Sequence, residues 1–311
     1  MSSSGQPTIV FVNKSAGRGR AGNYAHRVRT ILQDRGFAAT FVETSSRNEL
    51  QTLAAKAIAG GARLLVAMGG DGTLQGLAQV ALPHDVTLGI LPSGGGNDFA
   101  RALGLGSDPV QAAMTLLDGQ ARAFDVLHAK TANGKEHIYL GGGGIGLDAA
   151  AAQYAADHYQ TWPGRWRYVA SALRAYRNFK PLHVRLEFPE DDLPCIEADV
   201  LLAGALNTPT LGAGLRLAPD ARIDDGMLDV AVLKYLPFRS VLRLIPRVLR
   251  NGEVRSPALS NVRARKIRIV CDRPSIFHGD GEILGPAPVE IEVLPKAIRI
   301  VAPCPLSGNA R

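Results

Sequence analysis

Over the first 125 residues, short apolar runs alternate with longer stretches of helical period. Residues 8–12, 38–43, 64–68 and 86–91 have strand length and are rich in Val, Leu, Ile and Phe. Between them, helical patterns run to about residue 35, then over 48–59, 74–82, 97–103 and 109–117. Gly36 stops the first, and Gly60 and Gly61 stop the second. Strand–helix units of this length predict a parallel sheet with helices on both faces. Ligands of such sheets sit at the carboxyl ends of the strands. Three loops, 13–22, 69–73 and 92–98, fall there.

The pattern changes after about Arg122. Residues 124–130, 137–140, 183–188, 198–203, 228–233, 266–270 and 289–293 read as short strands joined by turns. Helix-like blocks at 165–178 and 240–250 interrupt them. The expectation is α/β plus all-β, in two domains. An α/β nucleotide-type domain spans 1–125 and an antiparallel β domain spans 126–295. A final strand at 297–301, within segment 296–311, could return to either. No repeat or low-complexity segment is present.

Composition narrows the partners. The 311 residues are 46% hydrophobic and 20% charged, as in a globular chain with a large core. Lys and Arg number 35 against 28 Asp and Glu, a net charge of +7. That favours an anionic partner: nucleotide, nucleic acid or acidic lipid. Aromatic content of 6% and the lack of an RNA-stacking signature weigh against nucleic acid. Cys195, Cys271 and Cys304 lie far apart, with no zinc or disulfide spacing, which predicts a reducing, cytoplasmic setting. The seven His are scattered without metal-ligand spacing. Neither a signal peptide nor a bilayer-spanning apolar run is recognised, so membrane contact is expected to be peripheral.

Candidate chemistry gathers at a handful of short motifs. Gly69-Gly70-Asp71-Gly72-Thr73 joins a strand to a helix. Its glycines and the free amides at the helix start suit a phosphate. Asp71 would repel that phosphate unless it works through a metal ion, a water or a hydroxyl; an ordinary strand-to-helix turn is the alternative. Asn13-Lys14-Ser15-Ala16-Gly17-Arg18-Gly19 suits a phosphate-facing loop. In Gly94-Gly95-Gly96-Asn97-Asp98, the Asp could instead cap a helix or pair with Arg101. Asp224-Asp225-Gly226 suits a hard cation or a solvated turn. Asp280-Gly281-Glu282 could supply a general base and a metal or water contact.

Taken in order, these motifs resemble the diacylglycerol kinase catalytic-domain family, which includes sphingosine, ceramide and bacterial lipid kinases. The matching elements are Asn-x-x-x-Gly at 13–17, Gly-Gly-Asp-Gly-Thr at 69–73 and Gly-x-Gly-Asn-Asp-Phe-Ala-Arg at 94–101. Gly-x-Gly-x-Asp-Ala at 144–149, Asp-Asp-Gly-x-Leu-Asp-Val at 224–230 and Asp-Gly-Glu at 280–282 complete the set. The resemblance implies a phosphofructokinase/NAD-kinase-like α/β nucleotide domain, a C-terminal antiparallel β-sandwich, ATP in the cleft between them, and a final segment, 296–311, that returns to the first domain. It implies transfer of the ATP γ-phosphoryl group to a lipid hydroxyl, most simply that of diacylglycerol. It places Asn13, Lys14, Gly17, Thr44, Gly69, Gly70, Asp71, Gly72, Thr73, Leu74, Gln75, Gly76, Gly95, Asn97 and Asp98 at the nucleotide. Asp71 would orient Mg²⁺ or its waters, and Asp280 or Glu282 would take the hydroxyl proton. A structural Mg²⁺ is implied at Asp225 and the carbonyls of Arg222 and Met227, with Asp125 reaching it through water. The implied partners are nucleotide and a lipid at a membrane surface; a homodimer is left open.

The chain departs from the family pattern at three places. Gln75-Gly76 stands where Asn-Glu is usual, Gly95 where Thr or Ser is common, and Lys14 where Pro is usual. Gly76 and Gly95 keep open a catalytically weak lipid- or nucleotide-binding protein, and the Gly-Gly-Asp-Gly-Thr turn, which NAD kinases share, keeps open an NAD kinase. The segment 162–185, with Trp162, Trp166, Tyr168, Tyr176 and Phe179, several Arg and no Asp or Glu, is a candidate membrane contact or a core-facing helix. The 240–250 block reads as a packed amphipathic helix.

Overall fold

The structure is a computed structural model that describes residues 7–16, 21–147, 164–212 and 214–304. The chain forms two compact units, Met1–Phe124 with Lys296–Arg311, and Asp125–Pro295.

The first unit contains β1 (Thr8–Asn13), α1 (Ala21–Asp34), β2 (Thr40–Thr44), α2 (Arg47–Ala59) and β3 (Leu64–Gly69). Then follow α3 (Asp71–Ala81), β4 (Thr87–Pro92), α4 (Asp98–Ala102) and α5 (Pro109–Asp118). The strands lie in the order β2-β1-β3-β4, all parallel. Phe11 sits between Val42 and Ala67, and Met68 pairs with Leu91. β3 and β4 are buried along almost their whole length, which explains their unbroken apolar runs. α1 packs with α5, and α2 with α3. Local signals set the helix ends. Ser46 caps α2 by accepting from the Glu49 amide, and Asp108 caps α5 with Pro109 in its first turn.

The second unit contains β5 (Gln120–Thr131, entering from the first unit), β6 (Glu136–Tyr139), β7 (Gly142–Gly146), α6 (Gly164–Tyr176), β8 (Leu182–Glu187) and β9 (Ile196–Leu206). It continues with β10 (Thr210–Leu211), β11 (Leu215–Arg216), β12 (Leu228–Lys234), α7 (Phe238–Asn251), β13 (Leu259–Ala264) and β14 (Lys266–Cys271). It ends with β15 (Ile276–Gly279), β16 (Glu282–Pro286) and β17 (Val289–Ala302). β9 organises this unit. One edge pairs first with β8 and then with β7, and the other pairs with β12. Its first four residues alternate in burial, while its last seven are all buried. Leu228, Val230 and Val232 of β12 point into a core shared with Leu182, Val184, Leu186, Ile267 and Ile291. Ala231 points into a second core with Leu202, Leu217 and Val248, so both faces of β12 are covered.

Periodicity alone left the final strand open, while the family resemblance returned it to the first domain. Arg299 and Ile300 of β17 pair in parallel with Thr87 and Leu88 of β4, so the strand ends in the first unit. Strands β7, β10, β11, β13, β15 and β16 were not among the strands expected from the apolar pattern. β7 reads Gly-Gly-Gly-Ile-Gly and offers almost no side chains to show a period. Its backbone lies so close to β9 that a Cβ at Gly204 would collide with the Gly143 carbonyl oxygen. Among the described residues, no helix is long and apolar enough to cross a membrane.

Candidate functional site

Three loops at the carboxyl ends of β1, β3 and β4 are tied together. The Asn13 Nδ2 donates to Thr73 Oγ1 at 3.0 Å. The Ser93 amide donates to the Gly69 carbonyl at 2.9 Å. A Cβ on Gly94 would come within 2.5 Å of the Gly70 Cα, so this crossing needs glycine. Asn97, at φ 55°, accepts from the Gly94 amide and donates to the Gly94 carbonyl, closing its loop. At the end of β2, the Thr44 carbonyl accepts from the Lys14 amide. The structure therefore brings Asn13, Lys14, Thr44, Gly69, Gly70, Thr73 and Asn97 into one network. Gly17 lies outside the described residues.

α3 begins at Asp71, three residues earlier than the apolar pattern predicts. Gly70 takes the cap position and supplies no side-chain cap. The first turn, Asp71-Gly72-Thr73, thus opens the helix with amides suited to an anion. Asp71 Oδ1 accepts from the Phe99 amide at 3.3 Å. Burial pushes its pKa up to about 6, and the nearby Asp98 carboxylate adds to the rise. Asp98 is buried and lies 3.7 Å from Arg101, so it does pair within its helix. Asp71 and Asp98 put two carboxylates beside this amide-rich turn; among the described residues, no group of three or more acidic, His or Cys side chains gathers as a metal cluster.

The departures from the family pattern sit in different surroundings. Gln75 is fully buried, and its Oε1 accepts from Arg47 Nη1 at 3.1 Å. A Cβ on Gly76 would sit 2.9 Å from Leu50 Cδ2, so α2 and α3 pack through this glycine. Leu74 is buried in the same helix. Gly95 is exposed and has open space where a Cβ would stand. Lys14 Nζ pairs with Glu43 at 2.6 Å, and that carboxylate raises its pKa.

In the second unit, Asp280 is held by backbone. Its Oδ2 accepts from the Leu140 amide at 2.7 Å, and its Oδ1 from the Gly141 and Gly142 amides at 2.8 and 3.2 Å. Its own amide donates to the Gly142 carbonyl at 2.9 Å. Both carboxylate oxygens are thus engaged by main chain, which fixes the plane of the group. Glu282 is exposed at the start of β16. The amide donors of 140–142 carried no signal in sequence, because backbone groups leave no residue signature.

The Asp224-Asp225-Gly226 turn is closed by protein groups. Asp125 Oδ2 accepts from the Gly226 amide at 2.7 Å, and Asp225 Oδ1 from the Met227 amide at 3.2 Å. Arg263 bonds Asp225 Oδ2, and Arg222 lies 3.6 Å from Asp224. Asp125 and Asp225 therefore do meet at one turn. Arg263, which sequence reasoning missed, already supplies positive charge to Asp225. A structural cation at this turn would share Asp225 with that guanidinium. Beside it, Asp229 is buried, with no hydrogen-bond partner for Oδ2 among the described residues, and burial pushes its pKa up to about 6.

The 162–185 segment is only partly described. Trp162 and the side chains of Trp166 and Tyr168 lie outside the described residues, as do Asp148 and Ala149. Phe179 packs against the sandwich core, and Tyr176 is buried.

Comparison with known proteins agrees with this layout. The family model described as the diacylglycerol kinase catalytic domain matches residues 7–129. That described as the YegS C-terminal NAD kinase beta sandwich-like domain matches residues 141–302. The chain is 31% identical over 296 residues to a diacylglycerol kinase of Mycobacterium tuberculosis, covering 94% of each. It is 26% identical over 297 residues to a diacylglycerol kinase of Bacillus subtilis, covering 94% of this chain and 95% of that one. A solved diacylglycerol kinase structure from Bacillus anthracis shares the fold, with a TM-score of 0.71 at 21% identity over 96% of this chain and 97% of that chain. With both domains matched in order along most of its length, this chain belongs to the diacylglycerol kinase catalytic-domain family.

Proposed function

We propose that the chain transfers the γ-phosphoryl group of ATP to the hydroxyl of a lipid alcohol, with diacylglycerol as the class that its relatives' names suggest. The observation that carries this reading is the amide-rich opening of α3 at Asp71, tied by hydrogen bonds to the loops after β1 and β4. Phosphoryl transfer depends mainly on positioning and charge stabilisation. The loops of the first unit would hold the phosphates through backbone amides. Asp71 and Asp98 would hold Mg²⁺ through oxygen or bound water. That ion would supply charge neutralisation on the phosphates.

Asp280 is the preferred acceptor for the hydroxyl proton, because three amides fix its orientation. A loose transition state needs little basicity from this group, so a well-oriented carboxylate suffices. Glu282 is the second candidate.

Labelled ATP offered with diacylglycerol, a sphingoid base, ceramide and a prenol in mixed micelles, and separately with NAD, tests the reading. Label in a lipid is the expected result. Label in NAD alone would make the chain an NAD kinase, and label in no acceptor would leave only a binding role.

A further inference from the structure

α7 covers the second core of its unit with one face and leaves an unusual surface on the other. Val248 is buried, and Leu244 packs beside it. On the outer side, Phe238, Leu242 and Pro246 recur every four residues and are exposed. Arg239, Arg243, Arg247 and Arg250 form the adjoining stripe, also exposed. Phe238 is 44% and Leu242 42% exposed, and Tyr235 just before the helix is 40% exposed. No Asp or Glu occurs between Asp229 and Glu253. Among the described residues, Arg239, Arg243 and Arg247 make no salt bridge; Glu253 is bonded by Arg255 and feels Arg247 only through space. The packed amphipathic helix expected from the sequence is thus packed on one side only.

The apolar end of this surface is rigidly seated. Tyr176, the last residue of α6, stacks on Tyr235 at 6.4 Å and packs against Phe238 at 5.5 Å. Its hydroxyl donates to the Leu236 carbonyl at 2.7 Å. The aromatic groups are held in place before any partner arrives.

We propose that the outer face of α7, with Tyr235, docks on an anionic lipid bilayer. The proposal rests on the lipid-kinase reading and names the surface through which the enzyme would reach its substrate. A helix with an apolar stripe beside a cationic stripe lies in the plane of an interface, with its apolar side chains among the acyl chains and its arginines at the headgroups. Anionic lipid complements the positive charge of Arg239, Arg243 and Arg247. A second copy of the chain fits poorly, because a two-fold contact through this helix would set arginine stripes against each other, and the helix itself carries no Asp or Glu to pair with them.

Sedimentation of the full chain with vesicles of phosphatidylcholine, with and without phosphatidylglycerol, tests this. Wild type is expected to bind the anionic vesicles, more weakly at high salt. The combined R239Q, R243Q and R247Q variant is expected to lose about a hundredfold in binding. Leu242→Ser is expected to lose about tenfold at most. Both variants should keep the wild-type melting temperature and activity on a dispersed short-chain diacylglycerol. Equal vesicle binding by wild type and the arginine variant overturns the docking surface, as does a wild-type dimer that the arginine variant dissociates. If binding follows α7 but no lipid alcohol accepts phosphate, the surface stands and the kinase reading fails. If lipid is phosphorylated but binding ignores α7, the reverse holds.

Discussion

Three amides from Leu140 to Gly142 converge on Asp280, whose φ of 51° is a conformation that Asp and Asn tolerate. Asp280→Asn would keep the backbone but turn an NH₂ group toward amide donors. The variant should lose about 1–3 kcal/mol of stability in denaturant titration and most of its turnover. Glu282→Gln, at an exposed position, should change neither by much. Near-normal turnover in Asp280→Asn with loss in Glu282→Gln would transfer the role to Glu282. Gly95 gives a prediction of opposite sign. Its Cβ position is open, so Gly95→Ser should fold normally and restore a hydroxyl at the phosphate loop. One added neutral hydrogen bond is worth about 0.5–1.5 kcal/mol, or up to roughly tenfold tighter ATP binding by calorimetry. Unchanged or weaker binding would show that the hydroxyl does not reach the nucleotide.

At the scale of elements, β8 and β9 carry a pH-sensitive pair. His183 and Asp199 are cross-strand partners, with Nδ1 and Oδ1 2.9 Å apart. The hydrogen bond from His183 to Asp199 raises the His183 pKa above its ordinary 6.5. The pair's contribution to stability is therefore complete below that value and is lost as pH rises through the raised midpoint. An NMR titration of His183 should show that midpoint, and Asp199→Asn should bring it down; an unchanged midpoint would discard the pairing. Much of the α/β unit was legible because caps and glycine stops mark its helices and buried parallel strands make unbroken apolar runs. β7 was illegible because glycines carry no side-chain period. The Asp280 motif could be read, yet the amides that hold it lie about 140 residues away and belong to the backbone. Arg263 was missed for a similar reason: only the β12–β13 pairing brings it to Asp225.

At the scale of the whole molecule, two strands, β5 and β17, each contribute residues to both units. Ending the chain at Pro295 would remove buried Ile298, Ile300 and Val301 from the first unit and bare the edge of β4. Each large apolar side chain lost is worth about 1.5–3 kcal/mol, and an unpaired edge invites association. The truncated chain should sediment as aggregate or show early proteolysis in the first unit. A monomer with wild-type protease resistance would show that β17 is dispensable there.

β17 also sets an order of events during synthesis. β4 leaves the ribosome about two hundred residues before its neighbour in the sheet, a delay on the order of ten seconds or more. Throughout that interval, while the entire second unit is being made, β4 lacks the strand that will shield its edge. The unit that is started first is therefore the last to be finished, and its vulnerable period is as long as the translation of the other.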